Sequence, residues 1–183
     1  AQAMIYNEYA QMLESINPAT GKRVTEDDLS VIDWNDEGTA MLNDALWADG
    51  ARLGDADYAD ITTRFVAASL EGWMYCRDNS ANCVEIVLNN GSSLGASHQA
   101  WQMNEINGLI WPSPDGAGVM DEGLWAQTID VATSQGILAS APDSGAYTTE
   151  YAEAAVEMLK NRGVDTTGKN WRRVDVTLNL GGE

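Results

Sequence analysis

Basic side chains are scarce in this chain. Ten Lys and Arg stand against 28 Asp and Glu, a formal net charge of −18 over 183 residues. Affinity for DNA, RNA or an anionic membrane comes from cations that displace counterions, so those partners are excluded. Acidity of this kind favours solubility and fits a saline or exported setting; an acidic surface with no specific role is the plain reading beside it. Histidine is scarcer still, with His98 the only one. One imidazole and no cysteine cluster exclude a transition-metal site, and His98, in Ser97-His98-Gln99 near a helix start, reads as a surface or capping residue. Phenylalanine also occurs once, against seven Trp. Large aromatic side chains of that kind dominate the energetics of cores and ligand sites.

Long apolar runs are missing too. None approaches the ~20 residues of a membrane-spanning helix, and residues 1–6 carry no basic region or apolar segment of a signal peptide. There are only two cysteines, Cys76 and Cys83, with six residues between them. That spacing is neither a redox nor a zinc C-x-x-C pattern. It leaves two readings open. A tight reversal would bring the two Cα atoms within the ~4.4–6.8 Å of a disulfide, whereas a reducing compartment would leave two small buried apolar side chains.

The standard catalytic arrangements are absent as well. Without G-x-S-x-G, none of Ser92, Ser93 and Ser97 reads as a nucleophile. Neither G-x-G-x-x-G nor G-x-x-x-x-G-K-[ST] occurs, so nucleotide chemistry has no anchor. Glu26-Asp27-Asp28 lacks the calcium-loop pattern and reads as a solvated face. No metal and no cofactor is expected, and binding is favoured over catalysis.

What is present is a soluble globular composition, 44% hydrophobic and 21% charged, of a size for one domain or part of a two-domain protein. Helical spacing predicts helices from Asn7 to about Ser15, Thr39 to about Asp49 and about Tyr58 to Cys76. One more lies between the break at Asp78-Asn79-Ser80 and the close at Asn89-Asn90-Gly91, with Cys83, Val84, Val87 and Leu88 inside. Others run roughly from Ala96 to Ile110, Asp121 to about Gln135 and Thr148 to Arg162. In the long helix at 58–76, Ile61, Phe65, Ala68/Ser69 and Trp73, with Val66 and Leu70, make the expected buried stripe. Pro112 stops the helix that begins at Ala96, and Gly136 and Gly163 stop the last two. Residues 2–6, 29–34 and 174–180 read as short strands. Isolated short strands need a sheet to join, which points to a fragment of a larger α/β fold.

One tetrapeptide, Tyr6-Asn7-Glu8-Tyr9, would stand at the C-terminal end of the first strand, where α/β sheets present their clefts. It offers an aromatic face, an amide and a carboxylate. The plainer reading is a strand-to-helix turn with Asn7 as N-cap.

Several segments, taken in order, resemble the C-terminal half of bacterial ABC-transporter substrate-binding proteins of the nitrate/sulfonate/taurine and thiamine-pyrimidine type. They are Ala3-Met4-Ile5-Tyr6-Asn7-Glu8-Tyr9, Leu70-Glu71-Gly72-Trp73-Met74-Tyr75-Cys76-Arg77-Asp78-Asn79, and Gln99-Ala100-Trp101-Gln102-Met103-Asn104-Glu105 running on to Ile110-Trp111-Pro112. Gly118-Val119-Met120-Asp121 and Gly145-Ala146-Tyr147-Thr148-Thr149-Glu150-Tyr151 complete the set. The resemblance implies an α/β, periplasmic-binding-protein type II-like two-lobed fold, helix-rich here with few short strands. Residues 1–183 would be its C-terminal portion, with the N-terminal portion absent from this chain. It implies a periplasmic or extracellular receptor that delivers a small solute, a nitrogen heterocycle such as a thiamine precursor or flavin, to ABC permease subunits. A small anion such as taurine or nitrate is the alternative ligand. A pyrimidine-synthesis enzyme of the same fold is the alternative function, although its His and Cys-rich iron-binding stretch is not recognisable. By the same resemblance Tyr6, Asn7 and Glu8 are ligand-binding residues, with Glu8 foremost. Trp34, Asn35 and Asp36 join them from position alone. The resemblance also favours the Cys76–Cys83 disulfide.

Overall fold

The computed structural model describes residues 2–91 and 93–183, so Ser92 lies outside the described residues. It is helical: α1 Glu8–Leu13, α2 Ala56–Asp78, α3 Ser80–Asn90, α4 Ala96–Ile110, α5 Glu122–Ser134 and α6 Glu150–Asn161, with 3-10 turns at Glu26–Asp28, Gly50–Arg52 and Leu180–Gly182. Among the described residues there is no strand, and β pairing is confined to one isolated bridge between Ile16 and Arg23. The expected two-lobed α/β fold is therefore corrected to an all-helical one.

The reason is visible at residues 174–180. Their alternation holds only around Leu178, which is buried between the exposed Thr177 and Asn179, whereas Val174 and Leu180 are exposed. The hydrogen bonds, however, go to a helix. The Asn104 side chain on α4 accepts from the Val174 N–H and donates to the Val174 carbonyl, both at 3.0 Å. The Ser97 hydroxyl accepts from the Asn179 N–H at 2.9 Å. An amide that offers one donor and one acceptor does the work of a neighbouring strand. Residues 2–6 run into a turn closed by Asn7 N–H to the Met4 carbonyl, and residues 29–34 are irregular with Val31 and Ile32 exposed. The helix expected over 39–49 is irregular as well. Its backbone is held from α5, where the Gln127 amide donates to the Ala40 carbonyl and the Thr128 hydroxyl accepts from the Leu42 N–H.

The chain divides into two compact units. The first comprises Ala1–Ser30, Glu71–Pro114 and Asp165–Glu183, the second Val31–Leu70 and Asp115–Val164. Within α2 the buried positions are Ala67, Leu70, Met74 and Arg77, while Ile61, Phe65 and Trp73 are exposed. Of the apolar stripe read from spacing, Leu70 is buried and Val66 half-buried, while Ile61, Phe65 and Trp73 face away from the buried side, which is completed by Ala67, Met74 and Arg77. Cys76 and Cys83 form a disulfide with Cα atoms 5.5 Å apart, where α2 gives way to α3.

The first unit packs Ala10, Leu13, Val24 and Leu178 together, with Tyr9, Leu29 and Trp101 against them. It also buries polar groups. Arg77 binds both carboxylate oxygens of Asp78, donates to the Asp165 carbonyl at 2.8 Å, and lies 4.6 Å above the Trp111 ring. Its guanidinium is held even more firmly charged than usual, first by the Asp78 bonds, against the cost of burial. Asp165 is held below the usual carboxylate range, chiefly by the Thr167 N–H. On α4 the apolar Met103, Ile106 and Ile110, spaced three and four residues apart, are only half-buried. Its buried side chains are Ser97, Gln99, Asn104, Glu105 and Asn107.

The second unit buries small residues. Ala132 on α5 and Ala152, Ala155, Val156 and Leu159 on α6 are inside. Gly116 and Gly118, both at positive φ, come so close to Val156 and Leu70 that a Cβ would sit 2.8 and 3.0 Å from those side chains. Asp121 caps α5 as its sequence position suggests, accepting from the Leu124 N–H at 2.8 Å, and Gly163 ends α6 with φ +79°.

Candidate functional site

In the first unit, α1, α4, the segment 23–26 and the extended segment 176–178 enclose an open depression of about 370 Å³. Its lining includes Arg23, Thr25, Glu26, Trp101, Val176 and Leu178. Each wall has a local cause. Asn17 to Gly21 turns the chain, bonded by Asn17 N–H to the Lys22 carbonyl at 2.7 Å, and Val24 N–H returns to the Ser15 carbonyl. Thr25 and Asp28 cap each other, and the Thr25 N–H and hydroxyl hold Asp28 ionised below the usual range. Arg23 is tethered by its Nε to the Leu13 carbonyl at 2.7 Å. Trp101 is oriented by its indole N–H on the Ile5 carbonyl at 2.9 Å. The Tyr9 hydroxyl is pushed above its usual titration range, mainly by burial and then by the charge and hydrogen bond of Glu26. Glu26 thus stands at the lip of the depression, close enough for its charge to act on Tyr9.

The sequence-predicted residues fall at two places. Tyr6, Asn7 and Glu8 enter α1 in the first unit, and Trp34, Asn35 and Asp36 form an exposed turn of the second. Asn7 and Glu8 are brought together. One Glu8 oxygen accepts from the Met4 N–H at 2.8 Å, the other from the Asn7 amide at 3.1 Å. These bonds, Met4 first, hold the Glu8 carboxyl below its usual range. Asn7 stands at the N-cap but makes no capping bond with its side chain. Asn35 spends its N–H and its amide on Asp33, which keeps Asp33 ionised.

Sequence reasoning did not single out Glu14, Arg23, Glu26 or Trp101 as site residues. Tyr9 and Glu26 are separated by the Asn17–Gly21 turn, and no spacing rule pairs them. The signal within reach was Trp101, one of seven indoles, on a helix where Ser97, His98, Asn104 and Glu105 stand three and four residues from it.

The second unit has its own open depression of about 420 Å³, lined among others by Trp125, Ile129, Asp130, Thr133 and Pro142. Tyr147 packs on Trp125 with ring centroids 4.7 Å apart. Among the described residues no group of three His, Cys, Asp or Glu is placed to hold a metal ion, and no helix is long and apolar enough to cross a membrane. No family model matches the chain, and no curated protein or solved structure matches it.

Proposed function

We propose that this chain is a small-solute-binding module that works outside the reducing cytosol and takes a flat, nitrogen-bearing heterocycle for an ABC importer. The observation that carries the reading is the depression in the first unit, where a fixed indole, a carboxylate and a guanidinium stand together. Its size falls in the range of small-ligand sites, about 300–1,000 Å³. A flat ring stacks on Trp101, and the amino N–H groups of the ring donate to Glu26. The net charge of −18 favours a neutral or cationic ligand over taurine or nitrate. The Cys76–Cys83 disulfide is compatible with an exported protein. Glu8 takes a lesser part here, because both of its oxygens already accept local hydrogen bonds.

The test is a titration of the whole chain with an aminopyrimidine, riboflavin and taurine, followed by Trp emission and by native mass spectrometry. An aminopyrimidine or flavin is expected to bind, with taurine silent. Glu26→Gln should weaken the heterocycle by about 1.5–3 kcal/mol, the worth of a hydrogen bond to a charged group. Binding of neither heterocycle, or equal affinity in Glu26→Gln, overturns the proposal.

A further inference from the structure

We propose that His98 is a positioning residue, a proton-operated latch that ties α4 to both ends of α1, two walls of the depression, by making two hydrogen bonds that require both ring nitrogens to be donors. His98 sits in the first turn of α4 with its side chain 12% exposed. Its Nδ1 is 2.8 Å from Glu14 Oε1, and the Glu14 side chain is 7% exposed. Its Nε2 is 3.1 Å from Asn7 Oδ1.

The orientation of Asn7 decides the protonation. Its amide nitrogen donates to the Glu8 carboxylate at 3.1 Å, and its oxygen accepts from the Gln11 amide at 3.2 Å. A reversed amide would set an oxygen against the carboxylate and a nitrogen against the Gln11 donor. The Asn7 oxygen therefore faces His98, and Nε2 must carry a hydrogen. Nδ1 faces a carboxylate, so a second proton lies between Nδ1 and Glu14. Written as imidazolium and carboxylate, both bonds are made. Remove that proton and two acceptors face each other at the Glu14 end.

The other charged groups around the ring are few. On α1 they are Glu14 and, behind Asn7, Glu8. Arg23 reaches the end of α1 but spends its Nε on the Leu13 carbonyl. The tail carries Glu183, and Glu105 further along α4 pairs with Arg173 at 3.2 Å. The positive end of the α4 dipole opposes a cation here. The Glu14 carboxylate is the group that offsets it.

The tail adds contacts of its own. The Gly181 N–H donates to the Glu14 carbonyl at 3.0 Å. A Cβ at Gly182 would sit 2.9 Å from His98 Cβ and 3.1 Å from Glu14 Oε2, so the tail lies directly on the pair. Leu13, Trp101 and Leu178, which line the depression, are near neighbours in sequence of Glu14, His98 and the tail. The latch thus ties α1 to α4, and the tail rests on the pair. That this matters for ligand capture rests on the binding reading above; the latch itself does not.

Histidine changes charge between about pH 5 and 8. Losing the proton breaks the Nδ1–Glu14 bond of the folded chain, so the latch predicts that stability falls when the proton leaves. The first arm of the test needs no ligand. Since the protein has one histidine, nitrogen-15 spectra of the imidazole are unambiguous. Both ring nitrogens should read as protonated at pH 5.5, and the urea midpoint should fall from pH 5.5 to 8. Glu14→Gln and His98→Asn should each flatten that pH profile. A neutral ring at pH 5.5, or an unchanged slope in Glu14→Gln, overturns the latch; the spectrum of the wild-type chain decides even if a variant fails to fold. The second arm titrates an aminopyrimidine across the same pH range. At least a threefold loss of affinity by pH 8, absent in Glu14→Gln, is expected. A positive first arm with no binding at any pH sinks the binding function and spares the latch. Binding that is independent of pH sinks the coupling of the latch to ligand.

Discussion

In the first unit Glu14, Arg77, Ser97, Gln99, Asn104, Glu105, Asn107 and Thr166 are all buried, whereas no charged or polar side chain of the second unit is in that class among the described residues. The second unit buries alanines with Leu70, Val156 and Leu159, and leaves Trp34, Trp47, Phe65 and Ile137 in water. The buried charges of the first unit are each tied: Glu14 to His98, Arg77 to Asp78 and Asp165, Glu105 to Arg173. Directed bonds of this kind fix which groups meet and at what angle, and they are costly when one member is lost. Close packing of small residues is tolerant of direction but not of volume. Each unit has an open depression, but the one whose lining includes a tethered Arg and an oriented Trp lies in the unit that buries polar groups and carries the disulfide.

Three substitutions would break or sharpen this contrast. The largest effect is expected in the apolar unit. Leu159→Ala removes a fully buried side chain and should cost about 2–5 kcal/mol in urea unfolding. A loss under 1 kcal/mol would mean that the small-residue core is not what holds this unit. Second comes the covalent tie of the first unit. Replacing Cys76 and Cys83 together by Ser opens a short loop and should cost about 2–3 kcal/mol on the chain-entropy account. If the doubly substituted protein melts with the parent, the polar contacts alone suffice. The smallest effect is expected at Trp47, 89% exposed. Trp47→Ser should change stability by less than about 0.5 kcal/mol, and a larger loss would show that the exposed residues of the second unit contribute to its fold.

The sequence made the later helices legible because their ends are marked. α4 runs from Ala96 to Ile110 as its spacing predicts, since Pro112 cannot continue it, and α5 begins where Asp121 caps it. The Thr39–Asp49 segment shows the opposite case. Met41, Leu42, Ala45 and Leu46 have helical spacing, yet Gln127 and Thr128 take its backbone instead, contacts almost ninety residues away that spacing cannot report. Residues 174–180 read as a strand from their alternation, yet they join no sheet and Leu180 opens a 3-10 turn, because alternation records which side faces inward and not what satisfies the backbone. Asn104 does that, and nothing local distinguishes it from Asn107 on the same helix. The disulfide was one of two readings that spacing left open. Tyr6, Asn7 and Glu8 were legible as a polar helix entry, while the depression beside Trp101 depends on Arg23 and Glu26, which arrive through the Asn17–Gly21 turn.

A side chain on Gly95 would collide with the Gly182 carbonyl, and one on Gly182 would press on His98. Only hydrogen can stand at either place while the tail stays down. Distant kin that keep this arrangement should therefore carry a fingerprint of glycine, two residues, then histidine, answered near the tail by an asparagine and a glycine pair. Such a search string tolerates drift everywhere else.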